Sequence, residues 1–201
     1  MYLYLPFFLE RKFHMKINEF NFKDHLVFNP EEGKLLFHDE RMIIMSAEAF
    51  GLYMRELINI GGAQLCKIFL RRLGESTGRM DAKSIKERLN PDTDLDWLAF
   101  GPVIHTWEGI VKAVPEQIDY DRDAGTFIMK GTWDNSFFAE QYLKIIGPSK
   151  EAVCWMLTGY ATGYASEFFG RKLLCKEPTC VAKGDERCRF EIRLGNEWGD
   201  D

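Results

Sequence analysis

Cys-Lys-Glu-Pro-Thr-Cys-Val-Ala-Lys-Gly-Asp-Glu-Arg-Cys-Arg-Phe-Glu-Ile-Arg, residues 175 to 193, places two cysteines on either side of a turn. Lys183-Gly184-Asp185 is the turn signal, and the Cys-Arg-Phe-Glu-Ile-Arg run after it alternates as a strand does. Cys180 and Cys188 therefore flank one tight loop and stand close enough to share an ion. Thiolates bind Zn²⁺ well, and a structural zinc site closes four tetrahedral ligands around the metal. Cys154 and Glu177 complete such a set. Plain reduced cysteines are the other reading of the same spacing, which is looser than a paired Cys-x-x-Cys site. A clip of this kind near the end of a domain points to a structural metal rather than a catalytic one.

Working outward, five cysteines are an odd number, which argues against a disulfide framework. Residues 1–9 are apolar, but no basic segment precedes them and Glu10-Arg11-Lys12 follows. The run is too short to span a bilayer and lacks the layout of a signal peptide. We read residues 1–20 as an arm packed on the domain or on a partner subunit, with Met15 as an alternative start. The expected compartment is the cytoplasm, where thiols stay reduced. Residues 21–201 are long enough for one domain with a sizeable core. The chain has 26 Lys and Arg against 31 Asp and Glu, net −5, which argues against a phosphate-binding surface. No phosphate-binding loop, dinucleotide fingerprint, nucleophile elbow or HExxH motif occurs.

Residues 26–38 read as two short strands around Asn-Pro-Glu-Glu-Gly, and Ser46 reads as the cap of a helix reaching about residue 59. A second helix follows Gly61-Gly62, residues 82–89 form a short one, and another starts at Asp94 and runs towards His105. The period then shortens: 110–119 and 125–133 read as strands joined by a turn at 121–125, with Phe127, Met129 and Gly131 on one face. Residues 134–136 cap a short helix, and 150–169 form the strongest one. Its Gly159 and Gly163, with Ala161 and Ala165, either admit a neighbouring helix or leave room for a ligand. Helices before and after a strand meander predict an α+β domain.

His105 and Trp133 are the candidate ligand anchors. An apolar setting keeps His105 neutral, with one acceptor nitrogen, while the Trp133 indole N–H only donates. Together they match an aromatic hydroxyl, which donates to the first and accepts from the second. The plain alternative is a structural histidine near a core tryptophan. Phe100, Tyr160, Tyr164 and Cys175 are the candidate walls, Tyr160 and Tyr164 lying one helical turn apart. Core packing is the alternative for each, and Cys66 reads as a small buried apolar residue.

The run from Gly159 to Ser166, Phe168 to Lys172, the Cys180–Cys188 loop and Glu197-Trp198-Gly199-Asp200 together resemble the N-terminal sensor domain of XylR/DmpR-type bacterial activators of aromatic catabolism. Phe69 to Gly74, Gly101-Pro102 and Glu108-Gly109 fit the same family, and the pattern is most similar to its phenol-responsive members. The resemblance implies a vinyl-4-reductase-like fold, a homodimer and an aromatic effector such as phenol. It implies a structural zinc on Cys154, Glu177, Cys180 and Cys188, and hydroxyl partners at His105 and Trp133, against the structural reading of that pair. It further implies a non-catalytic domain that, when loaded, relieves repression of an AAA+ ATPase in a sigma-54-dependent activator whose C-terminus binds DNA. Neither of those segments is in this sequence, which reads as a truncated or stand-alone sensor. Cys175 stands where some relatives carry an aromatic residue.

Overall fold

The computed structural model of the protein describes residues 15–198. Residues 1–14 of the expected arm, and Gly199 and Asp200 of the expected output end, lie outside the described residues. Met15 pairs with Pro91 by an isolated bridge, so residues 15–20 run along the domain.

A small antiparallel sheet comes first: β1 (Leu26–Asn29), β2 (Lys34–Phe37) and β3 (Glu40–Met42), in that order. The Asn29 side chain accepts from the Glu32 N–H at 3.1 Å, and Gly33 turns the chain at φ 64°. The third strand goes beyond the two expected, because three residues carry too little alternation to register.

Helix α1 spans Ala47–Leu89 and is capped by the Ser46 hydroxyl, which accepts from the Ala49 N–H at 3.2 Å. It is two arms rather than one rod, since Gly62 (φ 79°, ψ 168°) leaves the helical path. The Cys66 thiol lies 3.8 Å from the Met54 carbonyl, twelve residues back, whereas a straight helix would hold them about 18 Å apart. The chain therefore reverses at the glycine pair. The second arm continues unbroken to Leu89 and ends on left-handed Asn90, so no separate helix begins at 82. The polar residues that suggested a break are the arm's solvent face, while Ala82, Ile85 and Leu89 face inward.

Helix α2 (Asp94–Trp107) starts in a reciprocal Thr93–Asp96 capping box and contains Pro102. The Trp97 indole N–H donates to the Ala82 carbonyl at 2.9 Å and ties α2 to α1. The main sheet follows, with β4 (Lys112–Asp121) and β5 (Thr126–Asp134) forming a hairpin. Helix α3 (Phe137–Ile145) and helix α4 (Trp155–Phe169) lead into β6 (Leu173–Thr179) and β7 (Cys188–Leu194). The sheet order is β4-β5-β7-β6, antiparallel throughout. Phe127, Met129, Trp133, Phe190 and Ile192 form its buried face. This is the α+β architecture expected, with an antiparallel sheet and packed helices.

Helix α4 begins at Trp155, not near residue 150, because 149–154 are held differently. The Ser149 N–H donates to the Ala182 carbonyl at 2.8 Å, and Cys154 occupies the cap position. The helix crosses the second arm of α1 at two interlocked glycine pairs. A Cβ on Gly74 or Gly78 would run into the Met156 or Tyr160 carbonyl, and one on Gly159 or Gly163 into the Arg71 or Glu75 carbonyl. The small residues of α4 thus admit a helix backbone rather than a ligand on that side. No described helix is long and apolar enough to cross a membrane.

Candidate functional site

Two sites share the main sheet. The first gathers Cys154 from the start of α4, Glu177 from β6, Cys180 just after it and Cys188 at the head of β7. One ligand atom from each lies within 4.8 Å of every other. Between β6 and β7 a single helical turn, closed by Gly184 at φ 95°, brings Cys180 back towards Cys188. The Cys180 N–H donates to Asp185 at 2.7 Å, and the Val181 N–H to the Cys188 sulfur at 3.4 Å. Glu177 accepts from the Cys154 N–H at 3.0 Å, and the Ser136 hydroxyl lies 3.1 Å from the Cys154 sulfur. All three thiols are free and buried.

This donor set fits a tetrahedral metal. The Cys154–Cys188 and Cys180–Cys188 sulfur separations are both 3.8 Å. Thiolates about 2.3 Å from a tetrahedral centre stand about 3.8 Å apart. The other Glu177 oxygen is buried without a hydrogen-bond partner. Burial pushes Glu177 up to about 8 and holds Cys154 and Cys188 well above the ordinary thiol value, while their hydrogen bonds lower Cys180. Four acidic groups crowded away from water resist ionising together, and a bound cation is what reverses that balance. The set is closed, which is the pattern of a structural ion.

The second site is an enclosed cavity between α2, α4 and the sheet, with about 40 Å³ accessible to the centre of a water-sized sphere. That is enough for more than one water, which needs about 10–15 Å³ on the same measure. His105 and Pro102 reach it from α2, Trp133 and Met129 from β5, and Tyr160 and Tyr164 from α4. His105 is 9% exposed and Trp133 5%. Among the described residues, no protein group hydrogen-bonds the His105 ring or the Trp133 indole N–H. Tyr160 packs on the imidazole with ring centres 3.9 Å apart, and Trp133 stacks on Phe190 at 5.1 Å. The Tyr164 hydroxyl donates to the Trp97 carbonyl at 2.5 Å, which leaves its ring as wall. Pro102 removes the N–H that would bond the Leu98 carbonyl one turn back, and both residues line the cavity.

Of the six residues singled out for a ligand, His105, Trp133, Tyr160 and Tyr164 meet at this cavity. Phe100 is buried elsewhere on α2, edge-on to Phe20 at 5.1 Å. Cys175 is buried with its N–H on the Thr162 hydroxyl at 2.9 Å, and its cross-strand partner Ile192 is the one that lines the wall. Leu98 and Pro102 were missed, although they fall four and three residues apart in a series ending at His105 and so share its helix face.

Burial lowers the His105 pKa to about 4. An unfolded histidine titrates near 6.5, so the unfolded chain takes the proton first and this group's contribution to stability is lost as pH falls from 6.5 towards 4. Between pH 7 and pH 5 the wild-type protein is expected to lose about 2 kcal/mol relative to His105→Gln, read from urea midpoints at the two pH values. Equal losses in the two proteins would show that His105 is not held neutral.

The family described as activator of aromatic catabolism matches residues 21–121, and the vinyl-4-reductase domain family matches residues 129–194. The chain is 33% identical over 176 residues to the phenol regulator MopR of Acinetobacter guillouiae, covering 87% of this chain. It is 31% identical over 173 residues to the transcriptional regulatory protein XylR of Pseudomonas putida, covering 86% of this chain. It spans 31% of the length of each. The crystal structure of the phenol-responsive sensory domain of the activator PoxR, with phenol, superposes with a TM-score of 0.83 at 31% identity, covering 89% of both chains. With one family match over half the chain and a solved sensory domain matched along nearly all of it, this chain belongs to the activators of aromatic catabolism, as the N-terminal sensing domain of the XylR/DmpR type.

Proposed function

We propose that this domain senses phenol or a simple substituted phenol. The observation that carries the reading is the pair of buried, unmet polar groups on one apolar cavity: the His105 ring and the Trp133 indole N–H. His105 stays neutral at physiological pH, so one ring nitrogen accepts the ligand's O–H. Trp133 donates to the ligand oxygen. The ring lies against Tyr160, Tyr164, Met129 and Phe190, and it replaces water that has few polar partners there. The walls must ease apart to admit it. That differential affinity for an opened cavity is what lets a ligand shift the domain between two states.

Zn²⁺ is the ion we assign to Cys154, Glu177, Cys180 and Cys188, where it would clip α4 to β6 and β7. Those elements carry Tyr160, Phe190 and Ile192, so the clip braces the cavity wall. The domain comprises residues 21–201 with an arm before it, works as a homodimer in the cytoplasm, and has no turnover of its own. In a longer protein its loading relieves repression of an AAA+ ATPase, and DNA is contacted only through a C-terminal domain. Trp198 offers the output route: its indole N–H donates to the Leu174 carbonyl at 3.0 Å, and its ring lies near Lys176 and Arg193 of the β6–β7 hairpin.

Phenol should raise the melting temperature of the purified chain in a dose-dependent way, with the phenol recovered unchanged. No shift at saturating phenol, or consumption of the phenol, would overturn the sensor reading.

A further inference from the structure

The crossing of α1 and α4 places a carboxyl behind the cavity. Gly78 lets the two backbones touch at the Tyr160 carbonyl, and Asp81, three residues further on, shares that face of α1. Tyr160 is 6% exposed, and its hydroxyl is buried without a hydrogen-bond partner. The Asp81 carboxyl stands beside it without closing a well-formed bond. No lysine or arginine pairs with Asp81 among the described residues. Two unmet groups thus face each other across the tightest helix contact in the fold, and unmet buried polar groups call for an explanation.

We propose that Asp81 is a positioning residue of the cavity: its carboxylate takes the Tyr160 hydroxyl when ligand fills the cavity, fixing that ring on His105 and coupling the loaded state to α1. The inference rests on the phenol-sensing reading above. A ligand pressing on the Tyr160 ring from inside moves the hydroxyl towards the acid, and a bond to an ionised carboxylate is stronger than a neutral one. The bond forms only in the loaded state, so it adds to the differential affinity that drives the shift. Burial raises the Asp81 carboxyl to about 6, the charge of Glu40 on β3 adding to it, so Asp81 is ionised at neutral pH and protonated near pH 5. The other groups around the pair are His105 and Glu108 from α2 and Tyr164 from α4, while Glu40 is itself bonded by Ser84 and Arg88.

Calorimetric titration of the full chain with phenol at pH 7.5 and pH 5.0 tests this on wild type, Asp81→Asn, Tyr160→Phe and the double variant. Each single variant should bind five- to tenfold more weakly at pH 7.5, and the double variant no more weakly than the singles. Wild-type affinity should drop several-fold at pH 5.0, and that drop should vanish in Asp81→Asn, whose melting temperature should not fall below wild type. Wild-type affinity in Asp81→Asn, retention of its pH dependence, or effects that multiply in the double variant would overturn the proposal. If Asp81→Asn does not fold, Tyr160→Phe removes only the hydroxyl and reads the same bond: unchanged affinity there overturns it too. Phenol binding that needs His105 but ignores Asp81 would sink this inference alone, whereas a wild type that binds no phenol would sink the functional reading with it.

Discussion

Cys180→Ser is expected to strip the domain of its metal and lower its stability by several kcal/mol, the largest effect of any single substitution here. Cys180 is fully buried, and its sulfur lies 3.8 Å from that of Cys188 in a cluster of four acidic groups. A hydroxyl in its place is a poor zinc ligand, and a three-ligand site leaves the other groups crowded without their full charge compensation. Metal binding at such a site is folding free energy, since the unfolded chain has no preformed cluster. The damage should be local first. The turn at 181–184, the start of α4 and the ends of β6 and β7 all hang on the cluster. A metal assay of the variant, with urea unfolding and phenol titration, reads all three consequences. A chelator acting on the wild type should reproduce them, and a metal-free protein of unchanged midpoint would refute the structural role.

His105→Ala is expected to abolish measurable phenol binding while leaving metal content and fold intact. The substitution removes the one acceptor aimed at the ligand's O–H and leaves that donor unmet in an apolar cavity. Loss of such a bond, with the donor left desolvated, costs about 1–3 kcal/mol, and the emptied ring volume withdraws the face on which Tyr160 packs. Together these weaken binding by about 100-fold or more. Trp133→Phe keeps the stack on Phe190 but removes the N–H, so it should weaken phenol by about tenfold. Binding of benzene should be nearly indifferent to either change. That contrast separates loss of hydroxyl recognition from general collapse of the cavity.

The parts of this molecule written in local chemistry were legible before any coordinates. The Cys180–Cys188 turn, the Ser46 cap, the β4–β5 hairpin and the alternation of Phe127 and Met129 each depend on a few neighbouring residues. The misreadings came from partners distant in sequence. Gly159 and Gly163 left two possibilities open because the answer lay in Gly74 and Gly78, on a stretch whose polar solvent face read as a break. Residues 149–154 read as helix because nothing local reveals that the Ala182 carbonyl takes the Ser149 N–H. Phe100 illustrates the limit of composition: an aromatic near His105 is not a wall unless it shares its helix face, which Leu98 and Pro102 do. The Asp81–Tyr160 pair had no sequence signal at all, since it exists only because two glycine-lined helices touch.

The most direct test of phenol sensing is calorimetric titration of the purified chain with phenol, with metal content measured on the same sample and on His105→Ala. One phenol site and about one zinc per chain are expected in the wild type, and zinc without phenol binding in the variant. Phenol binding of equal strength in His105→Ala, or a folded, metal-loaded wild type that binds no phenol, would contradict it.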